Sequence, residues 1–167
     1  MRLISIFFFF VISSIELLAF DYPLRDTSVA YRGILSTTDS QIPVNVFVKV
    51  GKTIRILMSG EFGSMVKLEL SKKGSVMSLE VGSFMSKFDA QNFFLPDVMA
   101  CMGFTSFFYP EVVHSFVDSQ GRVSKILSLD SHVEIDFYYQ YDSSSIKRIF
   151  IKRKNYILDL TTVDKQQ

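Results

Sequence analysis

The sequence predicts a mainly β protein with an α-helical insert: one long antiparallel sheet that curls, interrupted once by helices. Three observations predict it. From Val44 onward, apolar and polar residues alternate one for one in run after run, the period of a half-buried strand. The runs are separated by short turns such as Gly51-Lys52, Lys73-Gly74 and Lys154-Asn155, which join antiparallel neighbours. Around Pro96 the alternation gives way to helical spacing, with Val98, Met99 and Met102 on one face.

The chain opens on a segment with its own logic. Arg2 supplies a positive head, and Leu3 to Ile15 is an unbroken run of apolar residues and Ser. Leu17-Leu18-Ala19 then offers a small residue where a signal peptidase cuts. This reads as a secretory signal peptide at 1–19, ahead of a single domain at 20–167. A membrane anchor fits less well, because the run is shorter than the roughly 20 apolar residues of a spanning helix and Glu16 closes it.

After a short polar stretch containing Pro23, the strands begin. Val44, Val46, Val48 and Val50 alternate with Asn45, Phe47 and Lys49; Ile54, Ile56 and Met58 alternate with Arg55, Leu57 and Ser59. Gly60 to Gly63 reads as a loop. Val66, Leu68 and Leu70 follow, then Met77, Leu79 and Val81. Asp89 is a good N-cap for a helical turn over Ala90 to Phe94. Pro96 suits the start of a second helix that Gly103 stops. Phe104 to Tyr109 is an aromatic connector ending at Pro110. Strands resume at Val123 to Leu129, Val133 to Tyr139, Ile146 to Lys152 and Tyr156 to Leu160. A sheet this long curls because strands twist, so its apolar face turns concave and the insert becomes its lid or plug. Phe93, Phe94, Val98, Met99 and Met102 are the candidate lid residues.

Composition narrows the function classes. Apolar residues make up 48% and charged residues 21%, which supports a packed core and argues against disorder. Net charge is +1 with the cations scattered, so no nucleic-acid footprint is expected. The chain has 17 Phe, and those beyond the leader have to fill a core, a cavity or a sticky surface. Cys101 is the only Cys, which excludes an internal disulfide.

No nucleophile elbow, zincin, Walker or dinucleotide-binding motif is present, and no cofactor or metal is expected. Three constellations offer candidate chemistry or contact. His132, Glu134 and Asp136 share one strand face and have the right donors for a metal, but a solvated outer face shows the same alternation. Cys101 and His114 offer a thiol–imidazole pair with nothing to orient the imidazole. Phe62, between Gly60 and Gly63, either folds back onto the core or stands out as a hook for a membrane or partner. The residues point to a binding protein rather than an enzyme.

The order of leader, β-meander, Gly-flanked apolar tip, Pro-started helix and closing strands resembles the LolA/LolB-like family of bacterial lipoprotein-sorting proteins. The resembling stretch runs from Tyr31-Arg32-Gly33 to about Leu160. Ser59-Gly60-Glu61-Phe62-Gly63-Ser64 with Val66 to Leu70 resembles that family's tip loop and the strand after it. Phe93 to Gly103 resembles the helical insert, and Ile146 to Leu160 the closing hairpin.

The resemblance implies a half-open β-barrel whose helical lid covers an apolar cavity for the acyl chains of lipid or lipoprotein. On that reading Val46, Val48, Ile54, Ile56, Met58, Val66, Leu68, Leu79 and Phe137 are wall candidates, and Phe62 matches the tip. The implied setting is the periplasm or the outer-membrane surface, with a carrier or receptor protein as partner. The chain departs from the family in three places. Phe20 follows Ala19 where receptor members carry a lipidated Cys, Glu61 replaces the Pro before the tip, and the lid Trp is missing. The expected protein is therefore exported without a lipid anchor of that kind.

Overall fold

The computed structural model describes residues 28–83, 94–101, 113–129, 132–141, 143 and 145–163. The leader, Asp89, Phe93, Met102, Gly103 and the Phe104–Tyr109 connector lie outside them.

Ten strands form one antiparallel sheet: β1 (Ser28–Thr37), β2 (Gln41–Val50), β3 (Thr53–Gly60), β4 (Gly63–Ser71), β5 (Val76–Val81), β6 (Val113–Val117), β7 (Val123–Ser128), β8 (Val133–Tyr139), β9 (Ile146–Lys152) and β10 (Tyr156–Thr162). Their order across the sheet is β5-β4-β3-β2-β1-β10-β9-β8-β7-β6. Two five-stranded meanders, each made of consecutive hairpins, are thus joined down the middle by the β1–β10 pair. Among the described residues the sheet does not close, and β5 and β6 are its edges, an arrangement that fits a curled sheet. One short helix, α1 (Leu95–Cys101), is the only α-helix among the described residues. It lies in the connection between β5 and β6, which links opposite edges of the sheet.

Alternation does what the sequence predicts. In β2, Val44, Val46 and Val48 are buried while Asn45, Phe47 and Lys49 are exposed. In β3, Ile54, Ile56 and Met58 are buried and Arg55 and Leu57 exposed. β8 buries Val133, Ile135 and Phe137, and β10 buries Leu158 and Leu160. These inward residues form one core with Phe94, Leu95, Met99 and Ala100 of the α1 segment. Each full burial of such a side chain contributes about 1.5–3 kcal/mol, which makes this one-sided core the main source of stability.

Two strands escape simple pattern reading. β1 interrupts its apolar residues with Arg32 and Gly33, and β6 exposes both of its faces. Gly33 is required where it stands. A Cβ there would lie 1.8 Å from the Asp159 carbonyl oxygen on β10, so the seam between the meanders closes only over a bare backbone. Pro43 is tolerated in an inner strand because β3 reaches only as far as Gly60, opposite Val44, and asks for no hydrogen bond from residue 43.

The segment read as a loop at Gly60 to Gly63 is tighter than expected. Gly60 and Gly63 pair with each other, and only Glu61 and Phe62 form the turn. Gly63 sits at φ 118°, a conformation that Gly alone adopts without strain. Next to the turn the register slips between Met58 and Ser59, which leaves Met65 and Val66 both buried.

Candidate apolar cavity beneath the helix

Helix α1 follows the sequence rules at its front: Leu95 and Pro96 begin it, and Pro is well suited to a first turn, where its missing N–H is not needed. Seven residues are too few to hold a helix by propensity, so packing holds this one. Leu95, Met99 and Ala100 are buried against the sheet.

A buried ion pair adds direction to that packing. Asp97 is 0% exposed and the Arg153 side chain 8%. Arg153 Nε donates to Asp97 Oδ2 at 2.7 Å, and a terminal guanidinium nitrogen donates to Oδ1 at 2.8 Å. The Tyr156 hydroxyl donates to the same carboxylate. Arg153 lies in the β9–β10 turn and Tyr156 opens β10, so the contact ties α1 to the closing hairpin across 56 residues of chain. Sequence reasoning missed this trio. Its one local signal is Asp97 itself, a carboxylate within an otherwise apolar helix.

Between α1 and the sheet lies a cavity of about 50 Å³. Tyr31, Val46, Val48 and Ile56 line it from one meander, and Ile149, Ile151, Leu158 and Leu160 from β9 and β10. Phe94, Val98 and Cys101 roof it. Of the predicted wall residues, Val46, Val48 and Ile56 therefore meet at the cavity. Ile54, Met58, Val66, Leu68 and Phe137 are buried in the core away from it, and Leu79 is half-buried on edge strand β5. Of the predicted lid residues, Phe94 and Val98 face the cavity and Met99 is buried in the core; Phe93 and Met102 are outside the described residues. Phe62 is 77% exposed at its hairpin tip, so it stands out rather than folding back.

The other two constellations take different forms. Glu134 and Asp136 share a face with Lys125 of β7. Lys125 pairs with Glu134 and reaches Asp136 Oδ1 at 3.3 Å. The hydrogen bond from Lys125 holds the Glu134 carboxyl below its usual range, and the same bond raises the ammonium of Lys125. His132 is exposed at the start of the strand with φ 51°. Among the described residues, no three His, Cys, Asp or Glu side chains gather as a metal site. Cys101 lines the cavity while His114 is exposed on edge strand β6. Burial, and then the negative charge of Asp97, push the Cys101 thiol well above its ordinary range, the reverse of an activated nucleophile.

No helix among the described residues is long and apolar enough to cross a membrane. No protein-family model matches the chain, and no curated protein matches it significantly.

Proposed function

We propose that this is a non-catalytic binding protein that takes up the acyl chains of lipid or lipoprotein between α1 and the sheet. On this reading it acts after export, as a LolA/LolB-like carrier in the periplasm or at the outer membrane, and delivers its cargo to a membrane or a receptor protein. One observation carries the reading: an apolar cavity bounded by both meanders and roofed by a seven-residue helix held by tertiary contacts rather than by its own propensity. Phe62 supports it as a hook at a hairpin tip.

Size sets the condition for binding. A cavity of about 150 Å³ accepts a benzene molecule, and the present one is about 50 Å³. An acyl chain therefore enters only if α1 lifts and the cavity walls part. Each methylene taken from water returns about 0.8 kcal/mol, so a partly inserted chain offsets a moderate opening cost.

Native mass spectrometry of the protein purified from its own envelope, with uptake of a fluorescent fatty-acid probe, tests the proposal. A bound lipid mass and saturable uptake are expected. A ligand-free mass together with no uptake would overturn it.

The small volume favours a second reading, in which the interior is filled by its own side chains. The protein is then an envelope assembly or structural factor that works through its surface. Methyl NMR spectra of α1 and cavity residues that stay unchanged at saturating fatty acid would select this reading.

A further inference from the structure

The two free edges of the sheet differ. β5 carries Glu80, whose carboxylate meets Lys67 at 3.1 Å, and charge on an edge strand discourages further pairing. β6 has no such protection. Its sequence, Val113-His114-Ser115-Phe116-Val117, contains no Asp, Glu, Lys, Arg or Pro. Four of its five side chains are exposed, with Phe116 at 49% and Val117 at 63%. Among the described residues β6 pairs with β7 on one side only, and no described strand meets the peptide groups along the other. The register slip beside it places the extra residue, Ser124, on β7, so β6 itself stays a regular strand.

The strand is also symmetric in kind about its centre. Ser115 lies opposite Ile126, a buried residue, so Val113, Ser115 and Val117 belong to the inner side of the sheet and His114 and Phe116 to the outer side. If a second β6 runs antiparallel with Ser115 facing Ser115, Val113 of each copy meets Val117 of the other. His114 then meets Phe116 of the other copy on the outer side. The Val113–Val117 pairs are apolar on apolar, the His114–Phe116 pairs set one ring against another, and no two like charges oppose each other. The two-fold axis stands perpendicular to the sheet, so the inner sides of both copies face the same way and one sheet continues through two molecules.

We propose that β6 is a self-association edge: two copies of this chain pair antiparallel through Val113–Val117, centred on Ser115. A five-residue strand is a small contact beside the usual stable interface of about 1,200–2,000 Å², so the dimer is concentration-dependent. The pairing is independent of acyl binding, since β6 contributes nothing to the cavity under α1.

Sedimentation velocity over a rising concentration series, with circular dichroism to check each fold, tests the proposal. The wild-type protein is expected to pass from monomer to dimer. Ser115→Glu and Ser115→Lys each place like charges face to face at the centre, and each is expected to remain monomeric at concentrations where the wild type is dimeric. Mixed together they are expected to form the heterodimer. Phe116→Glu, at a second exposed position, is expected to weaken pairing in the same way, while Met77→Lys on the opposite edge leaves it intact. A wild-type protein that stays monomeric throughout overturns the proposal. So does a dimer indifferent to the Ser115 charges, or a mixture of the two charged variants that does not pair.

Discussion

Replacing Asp97 by Asn keeps the shape of the side chain and removes its charge. The Arg153 guanidinium, 8% exposed, then stays buried opposite a neutral amide, and one of its two-pronged acceptors becomes a donor. Removing one member of a buried ion pair destabilises by about 3–5 kcal/mol. Against a total of about 5–15 kcal/mol for a typical domain, that is a large share. With a urea slope of about 2 kcal/mol/M, a loss near 4 kcal/mol lowers the unfolding midpoint by about 2 M. The chain has no Trp, so far-UV circular dichroism is the natural probe. The partner experiment replaces the whole group: Asp97→Leu with Arg153→Met and Tyr156→Phe. With no buried charge left, this triple variant is expected within about 1–2 kcal/mol of wild type, because buried pairs roughly break even with well-packed apolar residues. An Asp97→Asn midpoint within about 0.3 M of wild type would refute the reasoning. So would a triple variant less stable than the single one, since additive losses would mean the pair acts through something other than mutual neutralisation.

Four further outcomes are expected. Gly33→Ala drives a Cβ into backbone on β10 and is expected to cost about 3 kcal/mol or more in urea unfolding, while Gly51→Ala, whose nearest contact is 3.9 Å away, stays near wild type. Phe62→Ser is expected to leave stability within about 0.5 kcal/mol and to lower liposome co-sedimentation roughly tenfold or more; unchanged sedimentation would remove Phe62 as a hook. The Cys101 thiol is raised above 9.0 in the folded chain, so folding retains its proton: that contribution is complete below pH 9.0 and fades as pH rises further. Ellman's reagent is accordingly expected to react slowly with native protein and rapidly in urea. The Glu134 carboxyl is lowered from 4.5, so the unfolded chain binds the proton first, and its contribution is present above pH 4.5 and lost as pH falls below it. Glu134→Gln is therefore expected to flatten the acid limb of the urea midpoint against pH, and an unchanged limb would assign the acid sensitivity elsewhere.

Several elements were legible because their physics is local. Period-2 alternation in Val44 to Val50, Ile54 to Met58 and Val133 to Tyr139 states which side chains face inward, and the hairpin turns between such runs make neighbours of consecutive strands. Pro96 announced the start of a helix for the same kind of reason. β1 was hidden because Gly33 leaves a gap in its inward row of Tyr31 and Leu35 while the apolar Ile34 faces outward, and β6 because an exposed edge has no buried face to write an alternating pattern. The exposure of Phe62 was equally undecided in sequence: a two-residue turn projects it, a longer loop would have let it return to the core.

Local pattern settled the one-dimensional part for β2 to β5 and β7 to β10: where each strand runs, which of its side chains are apolar on one face, and where a helix interrupts the series. Tertiary structure alone decided that the two meanders meet through β1 and β10 with Gly33 at the seam, and that Asp97 finds Arg153 and Tyr156. It also decided that the predicted wall residues divide between a cavity of about 50 Å³ and a closed core. The reason is range. Alternation and turn chemistry act over a few residues, whereas strand order, buried charge pairing and cavity volume depend on residues 50 or more positions apart brought together by packing.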